Sequence, residues 1–239
     1  WQASGWIKEN EQEVEAKITS KTVVISNDIK MLPAWALADP DQEPVPPRPL
    51  APSRAKDDEP PVRSPLGKDD SSRYRRGRLI HRLLQSLPDL PKEKWLDSGR
   101  RFLQSPLNEL TDDQVESLLK ETLSVLEHPD YMDLFGDGSR AEVPVVGLVR
   151  RDGDVEVISG QVDRLVVSNK KVKIIDYKTN RPPPKSVDKV HRAYLRQMAA
   201  YRTVLRQIYP DHEIEAHLLW TDDARLMYLP DEILLQHEP

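Results

Sequence analysis

The segment from Ile158 to Lys178, ISGQVDRLVVSNKKVKIIDYK, constrains this chain more than any other, because two runs of strand-forming residues flank a polar turn. A hairpin closed through Asn169 and Lys170 sets Ser168 against Lys171. Counting back along both strands then places Asp163 opposite Asp176 and Gln161 opposite Lys178. A four-residue loop from Ser168 to Lys171 leaves that register unchanged. Opposed residues on neighbouring strands lie about 4.5 to 5.5 Å apart, and like charges at that separation destabilise a sheet. The same face runs on through Leu165, Val167, Val172 and Ile174, so the acidic pair ends an apolar face and not a uniformly wet one.

A divalent cation is the simplest compensation for two such charges, since hard cations such as Mg²⁺ prefer carboxylate oxygens. Lys178 lies two residues beyond Asp176 and projects from the same face, within reach of whatever the cation holds. Two carboxylates, a cation and an ammonium suit phosphodiester hydrolysis, in which the metal activates water and the lysine orients the nucleophile or neutralises the phosphate. The plainer alternative is a hairpin whose Asp and Lys make surface ion pairs.

Composition bounds the rest. The 239 residues, 38% apolar and 31% charged, suffice for one large domain or one domain with a substantial appendage. The absence of cysteine excludes disulfides, cysteine-ligated zinc and iron–sulfur clusters. No apolar run approaches the roughly 18 residues of a membrane span and no leader opens the chain, which therefore reads as soluble and cytoplasmic. It begins at Trp1, as a piece of a longer polypeptide would. The net charge of −5 is unevenly spread: residues 140–208 hold 15 Lys and Arg against 7 Asp and Glu, whereas the remainder holds 20 against 33. A basic stretch around the hairpin is compatible with a polyanion-binding surface or with a merely solvated face.

Residues 1–32 have no core of their own and read as the tail of a preceding region. Ten of the 21 prolines fall between Pro33 and Pro65, so 33–72 reads as an extended Pro-rich linker. From residue 73 onward the chain looks globular. Leu79, Ile80, Leu83, Leu84 and Leu87 recur at helical spacing, and KEKWLDSGRRFLQ makes a second helix. A third follows the Thr111 cap with Gln114 three residues later. Three or four strands run through Tyr177, then a long helix over 189–209 and a closing strand pair, which together make an α/β domain. No Gly-rich phosphate loop is present, so no ATP site is expected.

The strings GQVDRLVV and IIDYKTNR, with GRLIH upstream and QMAAY downstream, resemble the RecB-type nuclease branch of the D-(D/E)xK superfamily. PPRPLAPS, RGRLIHRLLQSLPDLP, SRAEVP, DYKTNRPPP, YLRQMAAYR and LLWTD are similar, more narrowly, to the C-terminal nuclease regions of AddA-type subunits of bacterial AddAB helicase-nucleases, from about Leu32 to the end. The resemblance implies a restriction-endonuclease-like mixed sheet flanked by helices. It also implies a Mg²⁺-dependent deoxyribonuclease, with Mn²⁺ as a substitute. In that family the substrate is DNA, single strands unwound by the helicase portion of the same polypeptide, with an AddB-like subunit as partner, during double-strand break processing for recombinational DNA repair.

Carried over by residue, the family pattern makes Asp163, Asp176, the Tyr177 carbonyl and His81 metal ligands and Lys178 the catalytic lysine. His81 lies at the edge of its helix's apolar stripe, one turn beyond Gly77, whose missing side chain leaves room for the imidazole; a lone helical His is otherwise a structural residue. Gln197 and Tyr201 match the family's Q-x-x-x-Y motif and share a helix face, with a place in the site or in the core. Glu142, opening a strand beside the hairpin, either adds a carboxylate to the site or pairs with Arg140. Arg181, Lys185, Lys189, Arg192 and Arg196 surround the motif and are candidates for phosphate contacts. From another function class, the same chain suits a noncatalytic DNA-binding or assembly module whose hairpin is structural. A free-standing restriction-like endonuclease fits the Pro-rich linker poorly.

Overall fold

The computed structural model describes residues 70–239 apart from Asp152 and Gly153. The tail expected over 1–32 and nearly all of the linker expected over 33–72 lie outside the described residues. Helix α1, Asp70–Ser86, carries the helical repeat: Leu79, Ile80, Leu83 and Leu84 are buried, and the helix ends just before Pro88. Helix α2, Trp95–Leu103, is shorter than expected because Lys92–Lys94 tighten into a 3₁₀ turn. Helix α3, Asp112–Leu126, starts with the expected capping box, the Gln114 N–H donating to Thr111 and the Thr111 N–H to the Gln114 side chain.

Strands β1 Ser139–Arg151, β2 Asp154–Val167, β3 Lys171–Lys178, β4 Glu213–Trp220 and β5 Arg225–Leu229 form one sheet in the order β1-β2-β3-β4-β5. Every neighbouring pair is antiparallel except β3 with β4, which are parallel and joined by helix α4, Arg192–Ile208. A parallel pair requires such a crossover. A short helix α5, Asp231–Leu234, follows β5. The mixed sheet flanked by helices is thus the architecture of the domain. Among the described residues no helix is long and apolar enough to cross a membrane.

The sheet divides two cores. On one face α4 packs over Val145, Ile158, Val162, Leu165, Ile174 and Leu218. On the other, α1 and α3 pack with Ile175, Tyr177 and Leu219. The alternation of faces along β2 breaks once. Val162 and Leu165 both belong to the α4 side, three residues apart, while Arg164 points to the other side, where it donates to the Leu84 carbonyl and the Tyr177 hydroxyl. Strand β1 reverses phase opposite this point, at Glu142, which has a positive φ of 53°. Both strands therefore turn over where the register sets Glu142 beside Asp163, between the pairs Ala141–Arg164 and Val143–Val162.

Candidate active site

The hairpin register is the expected one, with Val167 opposite Val172 and Arg164 opposite Ile175, but the ladder stops there. Asp163 and Asp176 occupy the next position and are not paired through their backbones, because β2 and β3 part at that point. Side chains take over the hydrogen bonds that the missing ladder leaves open. The Asp163 carboxylate accepts the Tyr177 N–H at 2.7 Å. Two residues further along β2, the Tyr201 hydroxyl accepts the Gln161 N–H at 3.3 Å and donates to the Gln161 carbonyl at 3.0 Å. Tyr201 thus stands where backbone pairing with Lys178 was expected and wedges the strands into a fork.

The wedge depends on Gly160. A Cβ there would lie 2.6 Å from Tyr201 Cε1. Gly160→Ala is expected to displace the buried ring and lower stability by about 1–3 kcal/mol, measured by urea unfolding. A change below a few tenths of a kcal/mol would show that the ring accommodates the methyl without moving.

Inside the fork the carboxylates have internal counter-ions. Lys178 Nζ lies 2.5 Å from Asp176 Oδ2, and His81 Nδ1 lies 3.3 Å from Asp163 Oδ1. Gln197 joins the first pair from α4, its Nε2 donating to Asp176 Oδ1 at 3.0 Å and its Oε1 accepting from Lys178 at 3.2 Å. The His81 ring meets the Tyr177 ring edge-on at 5.5 Å. The repulsion expected from the register alone is therefore offset by the protein itself. Gly77 also differs from expectation: its missing side chain makes room for Thr179, whose Oγ1 would lie 2.9 Å from a Cβ there, and not for the imidazole.

These contacts set the titration of the site. Burial pulls the His81 pKa down, but the charge and hydrogen bond of Asp163 outweigh it and hold the imidazole above its ordinary value. Burial raises Asp163, and the His81 charge, the Tyr177 N–H and Lys178 bring it below the usual carboxylate range. Asp176 is raised by burial, with the Asp163 charge adding and Lys178 opposing. Burial lowers Lys178, yet Asp176 keeps it above its ordinary value. Glu142 is raised by burial and then by Asp163. Because the folded-state pKa of His81 exceeds its unfolded value, its pair with Asp163 stabilises fully below a pH of about 6.5 and fades as pH rises through the folded pKa. In EDTA, wild type should lose stability relative to His81→Gln over that interval. Parallel unfolding curves for the two proteins across it would remove the pair's contribution.

Of the other residues expected at the site, Arg181 is drawn away by carboxylates, donating to Glu121 and to Asp222 at 2.6 Å each. Lys185 and Lys189 are exposed in the segment that follows Lys178. Arg192 and Arg196 lie on the exposed side of α4, where their charges, after burial, help lower His237; they are not on the side that carries Gln197. Sequence reasoning missed Glu121. It is buried on α3 and accepts from Arg76, Arg181 and the Thr221 hydroxyl, while Arg76 also donates to the Thr179 carbonyl at 2.8 Å. The carboxylate thereby ties α1, the residue that follows β4 and the chain beyond Lys178 together. A Glu inside the apolar repeat of α3 is its only trace in the sequence.

Among the described residues no three His, Asp or Glu side chains are gathered closely enough to cage a metal as they stand. The donor set nevertheless fits a divalent cation. Asp176 Oδ2 is buried against the Lys178 ammonium, and Asp163 and His81 add carboxylate oxygen and imidazole nitrogen nearby.

Residues 60–232 match the family model of the PD-(D/E)XK nuclease superfamily. The chain belongs to that superfamily. Within the matched stretch the chain reads D-x-K at Asp176, Tyr177 and Lys178, with Asp163 before it on β2. No curated protein matches the sequence. Among solved structures the chain is similar to SSO0001, at 15% identity and a TM-score of 0.32, covering 70% of this chain and 82% of that one. It is also similar to a protein of Eubacterium rectale named "Putative exonuclease", at 14% identity and a TM-score of 0.39, covering 66% of this chain and 62% of that one. Nucleases of the superfamily generally use divalent metal ions such as Mg²⁺.

Proposed function

We propose that this chain is a Mg²⁺-dependent deoxyribonuclease domain that hydrolyses phosphodiester bonds of DNA. The observation that carries the reading is the fork itself, where Asp163 is paired with His81 and Asp176 with Lys178. Asp163, Asp176, His81 and the Tyr177 carbonyl would hold the cation, with Glu142 beside Asp163 as a further carboxylate. When bound, such an ion supplies Lewis-acid stabilisation of the phosphate and lowers the pKa of water. Lys178 keeps a positive charge in the fork, where it orients the attacking water or neutralises the scissile phosphate. Gln197 holds Lys178 and Asp176 in a fixed relation, and Tyr201 keeps the fork open.

The finer reading follows the AddA resemblance: a nuclease region acting on single strands delivered by a helicase motor in the same polypeptide, beside an AddB-like subunit, in the bacterial cytoplasm during recombinational repair. Labelled single-stranded DNA incubated with the purified chain should be cleaved in Mg²⁺ or Mn²⁺ and remain intact in EDTA. Binding without cleavage under all three conditions would favour the noncatalytic module.

The exposed Lys185 and Lys189 offer the DNA its first phosphate contacts beyond Lys178. Replacing both with Ala should flatten the log–log salt dependence of single-strand binding by about 1.4, or roughly 0.7 for each phosphate that is no longer neutralised. Fluorescence anisotropy across a salt series reads the slope, and an unchanged slope would put both lysines outside the DNA path.

A further inference from the structure

Tyr194 lies outside the superfamily signature, yet it faces Lys178 directly. The lysine ammonium lies 4.0 Å from the centre of the Tyr194 ring, well within the range of a cation–π contact. The ring is fixed at both ends. Its hydroxyl donates to Asn180 Oδ1 at 3.1 Å, two residues beyond Lys178, and its backbone lies in the first turn of α4, which His191 caps through the Ala193 N–H. Trp220 at 6.4 Å and His191 at 6.1 Å flank the ring. Lys178 Nζ therefore sits among three groups: the Asp176 carboxylate, the Gln197 amide oxygen and the Tyr194 ring face.

These three respond differently to a divalent cation. Asp176 must share its oxygens with the ion, and a carboxylate so engaged holds an ammonium less strongly. A hard cation chooses oxygen donors over an aromatic face, so the ring keeps its hold. We propose that Tyr194 is a positioning residue for Lys178, its ring face retaining the ammonium in the fork when Asp176 turns to the cation. The inference rests on the nuclease reading above and assigns that site a residue beyond the D-x-K signature.

The test compares the wild type with Tyr194→Phe, Tyr194→Leu and a protein carrying 3,4,5-trifluorophenylalanine at 194, whose ring keeps its shape but loses its negative face. Tyr194→Leu and the trifluorinated ring should each lower kcat for Mg²⁺-dependent cleavage by about tenfold with little change in KM, whereas Tyr194→Phe should lose less than about threefold. Equal rates for Phe and the trifluorinated ring would reduce Tyr194 to packing and overturn the proposal. A second arm needs no catalysis. With isotope-labelled lysine, assigned through Lys178→Arg, the Lys178 ε-methylene protons should be shifted upfield by the ring, remain so on adding Ca²⁺, and lose the shift in Tyr194→Leu. Movement to the free-lysine position when Ca²⁺ binds would overturn the proposal. A wild type that cleaves no DNA but keeps the ring shift would instead sink the nuclease reading and leave the lysine's holder identified.

Discussion

Asp176→Asn is expected to lower the rate of metal-dependent cleavage by on the order of 10²–10³-fold, because one substitution removes a charge on which several partners depend. The amide keeps the size of the side chain and an oxygen to accept from Gln197 Nε2, so the shape of the fork survives. What disappears is the negative charge beside Lys178 and the buried Oδ2, the oxygen best suited to a hard cation. Single-turnover cleavage at saturating DNA measures the loss. A melting curve in EDTA checks that the variant still folds. Turnover within a few-fold of wild type in a folded variant would remove Asp176 from the chemistry.

The largest effect on stability is expected at Glu121. Its carboxylate is buried and satisfies Arg76, Arg181 and Thr221 at once, so Glu121→Ala leaves Arg76 with only the Thr179 carbonyl, Arg181 with only Asp222 and the Thr221 hydroxyl with only the Lys178 carbonyl. Removing one partner of a fully buried ion pair costs about 3–5 kcal/mol, and because Arg181 is half exposed and keeps Asp222 the loss here should fall at the lower end, about 3 kcal/mol. For a domain of this size that corresponds to a fall in melting temperature of roughly 10 °C. Arg76 stands just before Gly77 on the helix that carries His81, and Arg181 follows Lys178 by three residues, so loss of the hub also loosens two arms of the site. Urea unfolding decides the matter: a loss under about 1 kcal/mol would mean that water replaces the carboxylate readily.

Much of the fold was legible because its signals are local. The apolar repeat of α1 marked the buried stripe, Thr111 with Gln114 marked the start of α3, and the Ser168 to Lys171 turn set the β2–β3 register through four pairs. The end of that register was less legible. The phase break was written into the spacing of Val162 and Leu165, three residues apart, where uninterrupted alternation requires an even interval. The hairpin count carried the pairing on to Asp163 and Asp176, but strands stay paired only while backbone bonds outcompete other partners. Here the Asp163 carboxylate and the Tyr201 hydroxyl take those bonds.

By itself, the sequence determined the helices, the hairpin, its register and the order of acidic and basic groups along β2 and β3, since helical and strand periods and turn chemistry act over a few neighbouring residues. Only the tertiary structure decided that β2 and β3 separate at the acidic pair, that His81 offsets Asp163 while Lys178 offsets Asp176, and that Tyr194 covers the lysine. It also decided that Arg181 serves Glu121, 60 residues away along the chain. Those outcomes depend on which distant side chain reaches a buried charge or an open backbone group, and that competition is settled by packing across the two faces of the sheet.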